Sequence, residues 1–148
     1  MFEGRNSSMT LTFMDSGASD FFFKNEEDFT NYMPCAFCTG TSAIEMTGQF
    51  DILGKGTATK MFVSDGKAVK LTFKNALHSP SLAANLISIS VLDKAGLSTV
   101  FADGKAVVKD KSGHELFIGR GSEGMYILES APSPQALSSR ATAAPLAE

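Results

Sequence analysis

Tryptophan is absent from the 148 residues, and there are only two cysteines, two histidines and five prolines. Cys35 and Cys38 form one Cys-Ala-Phe-Cys after Pro34, whereas a structural zinc site needs two further ligands, and His78 and His114 have no paired spacing. A thioredoxin-type motif needs a preceding strand and a helix N-terminus, which the flanking residues do not suggest. The expectation is two reduced thiols without function, no metal and no other cofactor. Gly-x-Ser-x-Gly, phosphate loops and dinucleotide fingerprints are missing too; Gly119-Arg120-Gly121 reads as a turn with no following helix. No apolar run approaches the roughly 20 residues that span a bilayer, and Glu3, Arg5 and Asn6 interrupt any signal-peptide core. With a net charge of -3 and scattered basic residues, the chain has no electrostatic footprint for nucleic acid or an anionic membrane. An intracellular, cytoplasmic domain without nucleic-acid or membrane partners is expected.

What is present is apolar and β-favouring. Hydrophobic residues make up 43% of the chain, 12 of them Phe, enough for the core of one domain. Residues 1–8 are polar and expected to be flexible, the folded domain is expected over 9–129, and the Ala/Ser/Pro-rich stretch 130–148 is expected to be a disordered tail. Met9 to Met14 alternates as a half-buried strand, and Phe21-Phe22-Phe23 should enter the core. Asn25 is placed to cap a short helix reaching Tyr32, and Pro34 to Ser42 reads as loop. From Ala43 onward the pattern is β almost throughout. Ile44 to Ile52 and Thr57 to Val63 make a long hairpin around a Gly54-Lys55-Gly56 turn; Asp65-Gly66 is another turn, and Ala68 to Phe73 another strand. Asn75 to Leu82 reads as irregular, Asn85 to Ile89 as a buried strand, and Ser90 to Gly96 as a short helix ended by glycine. Four more strands follow, at Ser98 to Phe101, Ala106 to Lys109, His114 to Ile118 and Met125 to Leu128. The fold class is all-β with a few short helices.

One stretch stands out chemically. In Phe13-Met14-Asp15-Ser16-Gly17-Ala18-Ser19 an apolar strand runs into small residues, so Asp15 emerges at a strand end. Gly17 permits a tight turn, Ser16 offers a hydroxyl to brace it, and Ala18 and Ser19 leave room for another backbone. The heptapeptide alone is equally well read as a Ser-Gly turn whose Asp caps a local hydrogen bond. Peptide hydrolysis by aspartates needs two carboxylates sharing a proton, one to activate water and one to protonate the carbonyl oxygen. Asp65, Asp93, Asp103 and Asp110 lie in turns or on a helix and lack the preceding apolar strand. A second carboxylate therefore has to come from a second copy, Asp15 meeting its symmetry mate across a two-fold axis.

Several motifs occur together in a fixed order: Asp15-Ser16-Gly17-Ala18-Ser19, Ile52-Leu53-Gly54-Lys55-Gly56-Thr57, Ala76-Leu77-His78-Ser79-Pro80, Asn85-Leu86-Ile87-Ser88 with a Leu92-to-Gly96 helix end, and Gly124-Met125-Tyr126-Ile127-Leu128. In this order they resemble the protease, or β-barrel, domain of Pol polyproteins from copia-type retrotransposons, in the retropepsin-like aspartic protease superfamily, over roughly Leu11 to Leu128. The resemblance implies a closed β-barrel carrying half a site and completed by homodimerisation. It implies that Asp15 is the catalytic carboxylate, that Ser16 braces the two active-site loops across the dimer, and that Gly17 keeps the backbone near substrate. Residues Ile52 to Gly56 would form a glycine-rich flap over a polypeptide substrate, although an ordinary mobile hairpin is the plainer reading; Asn85 to Ser88 would form the second apolar loop. Thr12 stands where the family usually has Trp, and Phe21 where it usually has His. The expected function is cleavage of Gag-Pol-like polyprotein bonds. The alternative is an inactive retrotransposon-derived barrel, an interaction module or a relic, and the initial Met and low-complexity end suggest a stand-alone fragment.

Overall fold

The computed structural model describes residues 10–40, 50–131 and 143–145. The expected flexible start 1–8 and the expected strand positions Ile44, Met46 and Gly48 lie outside the described residues. The strands are β1 Thr12–Asp15, β2 Phe22–Phe23, β3 Phe29–Gly40, β4 Phe50–Ser64, β5 Lys67–His78, β6 Asn85–Ser88, β7 Ser98–Ala102, β8 Lys105–Lys109, β9 Glu115–Ser122, β10 Met125–Ser130 and β11 Ala143–Pro145; one helix, α1, spans Ile89–Lys94. Strands pair in the order β3-β4-β5-β2-β6-β1-β10-β9-β8-β7, and a further β4–β10 pairing closes β4, β5, β2, β6, β1 and β10 into a ring. The fold is therefore an all-β barrel, as expected. β3 extends outward from β4, and β9, β8 and β7 continue as a meander beyond β10.

The Phe-rich composition fills the ring. Phe73 is fully buried, with ring centroids 4.9 Å from Phe21, 5.5 Å from Phe23 and 6.4 Å from Phe62. Met14, Leu71, Ile87, Leu92, Val108, Phe117 and Leu128 complete this core. The Asp65-Gly66 and Asp103-Gly104 turns both have positive φ at each central residue, the geometry that matches the right-handed twist of a hairpin. Helix α1 is capped by Ser88, whose hydroxyl accepts from Val91 N–H at 3.0 Å, and ends before Gly96 at φ 90°.

Several local expectations are corrected. The helix expected from Asn25 to Tyr32 is one 3-10 turn over Glu26–Asp28 with no side-chain cap from Asn25. Phe29 already begins β3, which runs through the stretch expected as loop up to Gly40. β5 continues through Asn75 to His78 by taking Asn75 at φ 60° in a bulge. Gly119-Arg120-Gly121 lies inside β9, not in a turn, because a Cβ at Gly119 would meet Met14 Sδ and Gly121 N–H donates to Gly104 O at 2.8 Å. Within the expected unstructured tail, β11 pairs in parallel with β5, Ala143 opposite Lys70.

The reduced-thiol expectation is also corrected. Cys35 is disulfide-bonded, and Cys38 is the sequence's only other cysteine. Three residues of flat strand span about 10 Å, beyond the roughly 4.4–6.8 Å between Cα atoms that a disulfide tolerates. Here the register moves from Pro34 opposite Gly54 to Cys38 opposite Ile52, so β3 carries two residues more than β4 and is contracted over the Cys-Ala-Phe-Cys.

Candidate functional site

Asp15 ends β1, the strand held between β6, parallel, and β10, antiparallel. Its register partner on β6 is Ser88. Thr12 and Asn85 fix this pairing from inside. Asn85 is fully buried, donates through Nδ2 to Thr12 Oγ1 at 3.0 Å, and accepts at Oδ1 from Lys24 N–H at 2.9 Å. The threonine that replaces the expected Trp is therefore part of a satisfied buried polar link, and Phe21, replacing the expected His, is a core ring against Phe73.

Beyond the strand the chain turns at once. Asp15 Oδ1 accepts from Gly17 N–H at 2.7 Å, which holds one carboxylate oxygen against the loop. Ala18 is buried, and its carbonyl accepts from Ser88 Oγ at 2.8 Å, so the loop is anchored to the start of α1. Ser16 and Ser19 are exposed; Ser19 Oγ donates to Asp20 Oδ2 at 3.0 Å. Met14 is the buried residue preceding Asp15, and it packs over Gly119, where any side chain would collide with its sulfur.

The two sequence segments expected around Asp15 do converge there. Ile52 on β4 packs with Ala18, Phe22 and Leu86 in one apolar cluster, bordered by Phe13, Leu77 and Leu82. The Asp15 loop, the β4 arm and the second apolar segment thus share one small core. Asn85, Leu86, Ile87 and Ser88 are all buried, as strand β6.

The expected turn at Gly54-Lys55-Gly56 is corrected. These residues lie inside β4, with Gly54 opposite both Pro34 and His78, and Lys55 opposite Met33 and Leu77. The glycines serve close approach rather than a hairpin tip. A Cβ at Gly54 would collide with the Tyr32 ring, and one at Gly56 would lie 2.9 Å from Thr30 O. Tyr32 crosses Gly54 and brings its hydroxyl within 2.8 Å of His78 Nδ1 on β5. Burial, with Glu26 adding to it, holds the Tyr32 phenol above its ordinary value, so it stays protonated. On both sides of Thr57 the strands bulge, with Asn31 on β3 at φ 53° and Asn75 on β5 at φ 60°. Bulges bend and twist a strand pair. They divide the β3–β4 hairpin into a base within the barrel and an arm, Phe50 to Gly56, that reaches Ala18 and Leu86 through Ile52. Leu53 and Lys55 on that arm are exposed.

A cleft of about 700 Å³ opens beside Asp15. Phe13, Met14, Asp15 and Ser16 line its floor; Leu82, Ala83, Ala84, Leu86 and Ile89 line one side, and Phe101, Gly124, Met125 and Tyr126 the other. The second side was not legible as part of a site, because Phe101 and Met125 sit in strands whose spacing reads as ordinary alternation. Their signal is exposure, 47% and 49%, on two large apolar residues that line the same cleft.

No helix among the described residues is long and apolar enough to cross a membrane. Neither characterised proteins nor solved structures gave a match to the chain. A comparison with protein families matches residues 12–97, from the start of β1 to just past α1, to the Pol polyprotein beta-barrel domain. That stretch is more than half of the chain and holds the Asp15 loop, the β4 arm and β6, so the chain belongs to the Pol polyprotein beta-barrel domain family.

Proposed function

We propose that this domain is an aspartic endopeptidase of the retropepsin-like, copia-type group, active as a homodimer on polypeptide substrates. The observation that carries the reading is Asp15 itself: a half-buried carboxylate at the end of a central strand, one oxygen held by Gly17 N–H, on the floor of an apolar cleft. In a two-fold dimer the pair Asp15/Asp15′ shares one proton, since two like charges a few ångströms apart do not both ionise readily. The ionised member takes a proton from water as it attacks the scissile carbonyl, and the protonated member donates to the carbonyl oxygen. The proton then moves to the departing amine as the tetrahedral intermediate collapses. Ser16, exposed beside Asp15, is the hydroxyl available to brace the partner's loop. The β3–β4 arm, anchored by Ile52 and bulged at its base, closes over the bound peptide and excludes water. The proposed substrates are Gag-Pol-like polyprotein sites, a reading in keeping with membership of the Pol polyprotein beta-barrel domain family.

A second reading, a silent barrel that serves as an interaction module or is a relic, draws on the same hydrogen bond: accepting from Gly17 N–H also suits a carboxylate that only caps its own turn. Incubation with a peptide library separates the two. Wild-type protein is expected to hydrolyse internal peptide bonds and Asp15→Asn to lose at least about 100-fold in rate. Equal hydrolysis by both proteins removes this mechanism.

A further inference from the structure

The proposed dyad needs a second copy, and the surface that receives it has to adjoin Asp15, because a two-fold axis bringing the two carboxylates together passes beside that residue. β1 lies between β6 and β10, so two flanks are available. The β6 flank is already covered: Ile52 of the β3–β4 arm packs there on Ala18 and Leu86, next to Leu82. Among the described residues the β10 flank carries no such cover. Phe101 and Met125 leave 47% and 49% of their surface exposed, and β7, which bears Phe101, is the last strand of the sheet among the described residues.

Resting on the dyad reading, we propose that the second copy docks on the β10 flank, through Phe101, Met125 and Tyr126. Three features fit a self-complementary contact. The Phe101 and Tyr126 rings lie 4.9 Å apart at 56°, a braced aromatic pair of the kind that dominates interface energetics with little ordering cost. The patch is contiguous with the cleft that contains Asp15, so burying it brings the two carboxylates toward the axis. Among the described residues Asp15 is the only carboxylate lining that cleft; a two-fold contact sets each patch against its own copy, and a charged lining would oppose itself.

Sedimentation velocity tests the surface. Wild-type protein is expected to be a dimer, and Phe101→Asp or Met125→Asp to weaken the dimer by more than about tenfold. Leu11→Asp, equally exposed but at the far end of β1 from Asp15, is expected to leave it intact. Circular dichroism verifies that each variant is folded. Hydrogen exchange on the wild-type chain needs no variant: amides of Val100, Phe101, Met125 and Tyr126 are expected to gain protection as concentration rises through the dimer transition. A wild-type monomer at all concentrations, dimers indifferent to both substitutions, or protection gained only elsewhere overturns the proposal. A dimer broken by Met125→Asp whose peptide hydrolysis ignores Asp15→Asn keeps this surface and removes the dyad. Hydrolysis that requires Asp15 in a dimer indifferent to Met125→Asp keeps the dyad and removes the surface.

Discussion

Ser88 Oγ donates to the carbonyl of Ala18 at 2.8 Å while accepting from Val91 N–H at 3.0 Å, so one buried hydroxyl ties the loop after Asp15 to the first turn of α1. Replacing Ser88 by Ala removes a helix cap and strands a buried carbonyl. The expected loss is about 1–3 kcal/mol, read from the shift in denaturant midpoint at unchanged slope. If Asp15 is catalytic, activity falls further than stability explains, because the loop that holds Asp15 loses its anchor.

Gly54→Ala tests why β4 carries glycine where a turn was expected. The added methyl collides with the Tyr32 ring, which must leave its place over β4 and give up His78. A destabilisation of about 1–3 kcal/mol is expected, with most of it absent when Gly54→Ala is made in a Tyr32→Ala background. Equal losses in both backgrounds contradict the close-approach explanation.

Phe73 sits at the meeting point of three other Phe rings. Phe73→Ala is expected to destabilise by about 3–5 kcal/mol, a large part of the 5–15 kcal/mol that holds a typical domain together. Thermal melting followed by circular dichroism measures it.

Asp28 pairs with Lys60 at 3.6 Å, yet burial outweighs the lysine and holds its carboxyl above the ordinary carboxylate value; its Oδ2 has no hydrogen-bond partner. A carboxyl whose folded pKa is raised binds its proton more tightly in the folded state. Its stabilising contribution is present in acid and lost as pH rises from about 4 through the raised folded value. The unfolding free energy of wild type relative to Asp28→Asn should therefore fall over that interval. A rise would contradict the assignment.

Much of the barrel was legible. Alternation located β5, β8 and β10, the Asp-Gly pairs located two hairpin turns, and the unbroken apolar run Asn85–Ile89 located the buried β6. Local signals failed where tertiary pairing overrode them. Asn25 and the acids after it look like a helix start, but Phe29 is drawn into β3 by pairing with Ala58. Gly54 and Gly56 look like a turn because glycine's two uses, turning and permitting close approach, are indistinguishable without the partner strand. Asp15, Ile52 and Leu86 were all singled out from sequence, and the structure brings Ile52 and Leu86 onto Ala18 of the Asp15 loop. Phe101 and Met125 were missed as cleft residues because exposure is a property of the fold.

The central claim, that two copies of Asp15 act as one site, is tested most directly by mixing. Wild-type and Asp15→Asn chains are unfolded together in varying proportion, refolded, and assayed on a cleaved peptide at fixed total protein. Activity is expected to follow the square of the wild-type fraction, because every mixed dimer lacks one carboxylate. Activity that falls in simple proportion to the wild-type fraction would contradict the shared dyad.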